Sequence, residues 1–355
     1  MTSTQGGTFV YVSNADSKEI IIERLDLQSG DLSELQRVTL STPGQVMPLA
    51  VSPDRRFLYA AQREAPYALS CFAIDQLSGE LSYLASSHLV HSTPYIATDR
   101  SGRWLLAASY QGSLISVSPI GAQGIPQPPH QVIRTEPNAH SIQIDPANRN
   151  VLVPCLGGGV VMSWRFDPVR GVLSPNATPM VRVAGGVGPR HFVFHPSNRF
   201  VYLLNELEAS VYFFDYDAES GALSERQTLL ALPRDFDGPR LGMPGISTNG
   251  GPKAADLHLT PDGRFLYASE RTSSTITAFA VDLDSGRLEY AGSFPTETTP
   301  RGFNIDPSGR FLLSVGQDSH HMTCYAIDSG TGSLTAVGRY EMGQNPNWVE
   351  ILRLP

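Results

Sequence analysis

Seven side chains suited to holding anions or moving protons stand far apart in a chain of 355 residues: His140, Arg190, His191, Glu206, Asp256, Arg271 and Arg301. Forked guanidinium groups suit phosphate or carboxylate recognition, while imidazole and carboxylate suit proton transfer. Most of them lie tens of residues from the next, which matches no local motif. Only a fold that returns the chain repeatedly to one place can gather them, and internal repetition identifies that fold.

One motif reads Ser52-Pro-Asp-Arg-Arg-Phe-Leu-Tyr59 and returns at Asp145–Leu152, His195–Tyr202, Thr260–Tyr267 and Asp306–Leu313, with a weaker copy at Asp99–Leu106. Its shared arginines, Arg56, Arg103, Arg149, Arg199, Arg264 and Arg310, are spaced 47, 46, 50, 65 and 46 residues apart. Each copy is a turn followed by an apolar run, the signal of a β-hairpin. Recurrence in every copy assigns these arginines to anchoring turns. A second turn repeats in phase at Gly30, Gly79, Gly124, Gly171, Gly221, Gly286 and Gly332, after alternating strands such as Thr275–Val281. Two hairpins per repeat make four strands, the blade of a β-propeller. The expected architecture is all-β: one seven-bladed propeller domain over residues 1–355, with four antiparallel strands per blade. Thr8–Val12 reads as a second strand with no first strand before it, and Asn345–Ile351 reads as that missing inner strand. Pairing the chain ends within one blade would close the ring. The 65-residue spacing marks an insertion near Leu232–Lys253, with Arg234 and Arg240, that suits a lid, a binding loop or simple decoration.

The repeats supply an alignment within one chain, against which off-pattern residues stand out. With strands A to D counted from the axis outward, the loops before A and after B open on one face. The first positions of strand A read Met47, Pro94, His140, Arg190, Ala255, Arg301 and Asn347. The next read Pro48, Tyr95, Ser141, His191, Asp256, Gly302 and Trp348, and the ends of strand B read Arg63, Tyr110, Leu156, Glu206, Arg271, Gln317 and Ala15. Variation at a fixed geometric position is what a site built from several blades requires. So many charges there must either pair with one another or bind an anion, since burying them unpaired is costly. The excess of arginine favours the anion. Tyr95, Tyr110, Asp256, Arg301, Gln317 and His321 join the candidates as ligand contacts.

Other features read as structure. His195 stands where other repeats have Asp, Ser or Thr and suits a turn cap. His258 fits a core histidine as well as a site residue, and His88, His91 and His130 fit loops. Gly157-Gly-Gly159 lacks the Lys-Ser/Thr of a phosphate loop. With no His-x-x-x-His helix and no acidic calcium loop, neither metal nor other cofactor is expected. A net charge of −8 and the lack of any Lys/Arg-rich run argue against nucleic acid as a partner. Cys71, Cys155 and Cys324 are odd in number and far apart, as buried reduced thiols would be. The start has neither the basic nor the apolar region of a leader, and no apolar window is long enough for a membrane span. The cytoplasm is the expected compartment.

Gly188-Pro-Arg-His-Phe-Val-Phe-His-Pro196, Asn205-Glu-Leu207 and Pro300-Arg-Gly-Phe-Asn304 carry a resemblance, extended by His140-Ser, Ala254–His258, Arg271-Thr and Gly316–His321. Over nearly the whole chain the sequence resembles the seven-bladed propeller lactonases, in particular the cycloisomerase-like bacterial 6-phosphogluconolactonases. The main departure is the longer 232–253 loop. The resemblance implies a carboxylic ester hydrolase that opens 6-phosphoglucono-1,5-lactone to 6-phosphogluconate in the pentose phosphate pathway. The same family includes a fungal carboxymuconate cycloisomerase, whose proposed His, two Arg and Glu look similar to His140, Arg190, Arg271 and Glu206. On that footing arginines would hold the small anionic substrate and its oxyanion. Glu206 or His191 would take the proton of water, and His140 would protonate the leaving oxygen. Two rivals stand beside it: a lactonase or cycloisomerase for another lactone, and a non-catalytic propeller that binds a protein on its polar rim.

Overall fold

The recurrent turn is built by one side chain ahead of each arginine. In a computed structural model that describes residues 6–40, 44–239 and 251–355, Asp99 Oδ1 accepts the backbone N–H groups of Arg103 and Trp104 at 2.9 and 3.0 Å. Asp145 and Asp306 do the same in their blades, and Ser52 and Thr260 use a hydroxyl toward Phe57 and Phe265. His195 caps its turn through Nδ1, which accepts from the Ser197 N–H at 3.1 Å. The arginines lie outside: Arg56, Arg199, Arg264 and Arg310 sit 4.8 to 5.6 Å from the centre of the following Phe ring, a cation–π contact. They are structural, as their recurrence indicates.

The strands that follow these turns form seven four-stranded sheets among the described residues, with no helix. Neighbouring strands are antiparallel throughout, as in Phe57–Gln62 against Ala68–Ile74. Blades 1 to 6 begin with inner strands at Val46, Tyr95, Gln143, Pro189, Ala254 and Pro300. Blade 7 takes its inner strand, Pro346–Arg353, from the end of the chain and pairs it with Thr8–Asn14 from the start. The ring closes as the sequence indicates. Second strands are buried on both faces because each blade packs between two others, whereas outer strands such as Leu81–His88 alternate toward solvent.

Blades are latched to one another at the glycine turns. The Tyr11, Tyr202 and Tyr267 hydroxyls donate to the carbonyls of Gly79, Gly286 and Gly332 in the next blade, at 2.8, 2.9 and 2.9 Å. Gly79 has φ +74, and a Cβ there would meet the Phe9 ring at 2.3 Å, so the latch requires glycine on both counts. All three cysteines are buried and unpaired. No helix of the described residues is long and apolar enough to cross a membrane. Arg234 lies over the Tyr290 ring at 4.7 Å. Residues 240–250, which hold Arg240 and half of the expected lid or binding loop, lie outside the described residues, as do residues 1–5 and 41–43.

Replacing Tyr202 with Phe strips the buried Gly286 carbonyl of its donor and should cost about 1–3 kcal/mol of stability. Tyr59 is equally buried, but its hydroxyl has no partner among the described residues, so Tyr59→Phe should cost little. Urea unfolding of both variants checks this, and equal losses would contradict the latch.

Candidate active site

The site forms where inner strands begin, and irregularities there aim its side chains. In blade 4, Pro189 pairs with Asn205 and His191 with Leu204, which leaves Arg190 as the extra residue of a bulge. Arg301 is the extra residue between Pro300 and Gly302 in blade 6, and the register also slips around Ala255 and Asp256 in blade 5. A bulge re-aims a side chain without breaking the sheet. Backbone bonds tie the ends of second strands to this rim: the Glu206 N–H donates to the Gly188 carbonyl at 2.7 Å and the Arg271 N–H to the Lys253 carbonyl at 3.2 Å. Both sets of aligned positions therefore share one mouth of the axial channel.

That mouth holds a cavity of about 230 Å³, lined by His140, Arg190, Glu206, Arg271, Arg301 and Tyr110, with Arg63, Met47, Ser92, Thr93, Pro94 and Gln111 on the side of blades 1 and 2. It is smaller than the roughly 300–1,000 Å³ of drug-sized sites, which suits a compact ligand. Among the described residues Glu206 is its one carboxylate, set against four arginines. Arg190 Nε donates to Glu206 Oε2 at 2.8 Å, and Arg271 Nη2 pairs with Oε1 at 2.9 Å. Arg190 is 1% exposed and also donates to the Ala255 carbonyl.

Burial and charge then set each protonation state. Burial would raise the Glu206 carboxyl, but Arg190, Arg271 and Arg301 overcome it and hold the group below the ordinary carboxylate range. Burial pushes the His140 imidazolium well down, and Arg190, His191, Arg301 and Arg271 add to the effect, so His140 is neutral. Burial and Arg190 bring His191 down to about 4, against the pull of Asp256. Burial pushes Arg190 down to about 10, with Glu206 working against it.

Beneath the cavity lies a second polar layer. His191 Nδ1 donates to Asp256 Oδ1 at 2.8 Å, and His258 Nε2 meets Asp256 Oδ2 at 3.2 Å. With Asp256 ionised, this bond fixes the His191 tautomer and leaves Nε2 unprotonated, buried and without a partner. The His140 and His191 rings touch edge to face with centroids 5.2 Å apart.

Five expected catalytic residues divide accordingly. His140, Arg190, Glu206 and Arg271 meet in the cavity, while His191 lines the narrow throat under it. Among expected ligand contacts, Arg301 and Tyr110 line the cavity. Asp256 lies in the throat, and Tyr95 faces the opposite channel mouth beside Trp348 and Glu350. Gln317 and His321 are absent from the cavity lining. The Gln317 amide donates to Asn345 Oδ1 at 2.7 Å, and the neighbouring His320 occupies a turn at φ 55. Ser92, Thr93 and Gln111 were missed. They flank aligned positions 94 and 110 by one or two residues, so a wider window on the repeat would have included them.

Comparison with known proteins adds three findings. The family described as Lactonase, 7-bladed beta-propeller matches residues 9–351. A protein of Pectobacterium carotovorum subsp. carotovorum named 6-phosphogluconolactonase is 42% identical over 345 residues, 97% of this chain and 98% of its own length. One of the same name from Serratia proteamaculans is 41% identical over 343 residues, 97% and 98% of the two chains. Among solved structures, the periplasmic gluconolactonase of Pseudomonas aeruginosa superposes with a TM-score of 0.87 at 26% identity, covering 98% of this chain and 100% of that one.

The buried histidines make stability depend on pH in a defined direction. The unfolded chain binds protons at His140 and His191 below about pH 6.5, which the folded chain refuses until lower pH. The contribution of these two histidines to stability should therefore fall as pH drops from about 6.5 toward 4. Three groups oppose this: burial lowers His258 but Asp256 outweighs it and raises the group, and burial pushes Glu23 and Glu350 up to about 7. Urea unfolding across that range should show a shallower fall for His191→Asn, and an unchanged slope would contradict the assignment.

Proposed function

The chain belongs to the seven-bladed β-propeller lactonase family, and we propose that it is a 6-phosphogluconolactonase, acting on 6-phospho-D-glucono-1,5-lactone. The observation that carries this reading is the cavity wall, in which four arginines face one carboxylate and a neutral histidine. An enzyme for an anionic ester needs such a balance. Relatives named for this activity match at about 40% identity over nearly their full length.

In this reading Glu206 fixes the guanidiniums of Arg190 and Arg271, and their remaining N–H groups meet the lactone carbonyl. Water adds to that carbon, and the same donors stabilise the oxyanion that forms. Glu206, held low by two ion pairs, is a clamp more than a base. His140 faces the cavity neutral, so it can accept the proton of the attacking water. As the ring C–O bond breaks, it returns that proton to the leaving oxygen. Such general acid–base help is typically worth about 10²–10⁴-fold. His191 acts from below, held by Asp256 against the ring of His140. Two guanidiniums, one imidazole and water suffice for this hydrolysis, so the reading calls on no cofactor. Nor does it call on nucleic acid or a membrane.

We further take residues 1–355 as one domain, because the two ends of the chain complete one blade. We place the reaction in the cytoplasm, the reducing compartment that suits three unpaired cysteines.

Metal-stripped protein mixed with fresh 6-phosphogluconolactone should release 6-phosphogluconate well above spontaneous hydrolysis. Arg190→Ala and Glu206→Ala should each lower kcat by about 10²–10³ while folding is retained. Activity confined to unphosphorylated or muconate-type lactones would replace the substrate. Turnover of no lactone above background would overturn the enzymatic reading and leave a binding propeller.

A further inference from the structure

Glu206 satisfies two of the four cavity arginines and leaves two. Among the described residues, neither Arg63 nor Arg301 has a carboxylate within ion-pair distance, unlike Arg190 and Arg271. Among the described residues the one hydrogen-bond contact of the Arg63 guanidinium is with Met47 Sδ, at 3.7 Å, and a thioether is a weak acceptor. Arg301, re-aimed by its bulge, donates no side-chain hydrogen bond to any described residue. Burial disfavours its charge, Arg190, Arg271 and Arg63 disfavour it further, and Glu206, with no direct ion pair to it, offsets this only in part. A guanidinium pressed by three others is a site in want of an anion.

Position separates these two from the clamped pair. Arg190 and Arg271 come from blades 4 and 5, beside His140 of blade 3. Arg63 and Arg301 come from blades 1 and 6, on either side of blade 7. Blade 7 contributes only uncharged residues at the aligned positions, with Ala15 fully buried and Asn347 1% exposed. One half of the cavity thus has a built acid–base and oxyanion set that includes a negative group. The other half has two uncompensated forks and no negative group. A phosphate dianion beside Glu206 would be repelled, whereas between Arg63 and Arg301 it meets two guanidiniums that have no ion-pair partner of their own among the described residues.

We infer that Arg63 and Arg301 form a phosphate subsite across blade 7, and that Arg63 sets the preference for a phosphorylated over an unphosphorylated lactone. This rests on the lactonase reading for the direction in which substrate lies. The lactone carbonyl faces Arg190, Arg271 and His140, and the C6 phosphate reaches the opposite wall. Gln111, Ser92 and Thr93, on blade 2 between the two halves, face the hydroxyls of the sugar acid. Arg63 is exposed at the end of a strand, so its replacement spares the fold.

Arg63→Ala and Arg63→Lys test the subsite through two readouts. The first is kcat/KM on 6-phosphogluconolactone and on glucono-1,5-lactone. Arg63→Ala should lose about ten- to hundredfold more on the phosphorylated lactone, chiefly through KM, and Arg63→Lys should recover part of it as a point charge without the fork. Equal losses on both lactones, or none, overturn the inference. The second is binding of 6-phosphogluconate against gluconate by calorimetry. Phosphate should tighten binding to wild type and much less to Arg63→Ala; a phosphate gain that survives in the variant, or is absent from wild type, overturns the inference. If wild type hydrolyses neither lactone, the proposed function fails, and the binding comparison alone decides the subsite.

Discussion

Glu206 sits between two guanidiniums that reach it from neighbouring blades, Arg190 of its own blade and Arg271 of the next. Taking three charges out of water is costly, and removing one partner of such a set costs more than the set itself contributes. The arrangement therefore holds only where the backbone fixes all three. A bulge in an inner strand and two backbone bonds between strand ends and rim do so here. Everything at the channel mouth depends on this junction. It lowers the carboxyl, adds to the burial that keeps His140 neutral and leaves Arg63 and Arg301 without an ion-pair partner among the described residues.

The propeller makes such a junction affordable. Its repeats handle stability through the same few contacts, an Asp, Ser, Thr or His capping each arginine turn and a tyrosine latched to a glycine carbonyl of the next blade. None of these contacts uses the channel mouth. Positions at the mouth are free to differ from blade to blade, and seven blades bring side chains from distant points of the chain within reach of one small molecule. The cationic mouth belongs to a chain of net charge −8, so attraction of an anion is a local property of the wall.

Much of this was legible in the sequence because repetition served as an internal alignment. The blade number, the closure by Thr8–Val12 and Asn345–Ile351, the capping role of His195 and the structural role of Arg199 or Arg264 all follow from comparing one repeat with another. So do the rim positions of His140, Arg190, Glu206, Arg271 and Arg301. Depth along the channel was not legible. Period-two alternation places Arg190 and His191 on opposite faces but cannot show that a bulge turns one into the cavity and leaves the other in the throat. For the same reason Asp256, beside the register slip of blade 5, was expected one layer too high, whereas Tyr95, in a strand of regular register, faces the other mouth. Gln317 and His321 occupy the right aligned face, yet a local amide bond to Asn345 and a turn at His320 take them out of the cavity wall. The free state of Arg63 could not be read either, since pairing with Glu206 is decided by distance and not by residue type.

A crystal structure of the protein soaked with 6-phosphogluconate, the product of the proposed reaction, tests the central claim most directly. The account predicts its carboxylate against Arg190 and Arg271 within hydrogen-bond reach of His140, with its phosphate between Arg63 and Arg301. Product bound away from this mouth, or reversed so that its phosphate meets Arg190 and Arg271, would contradict it.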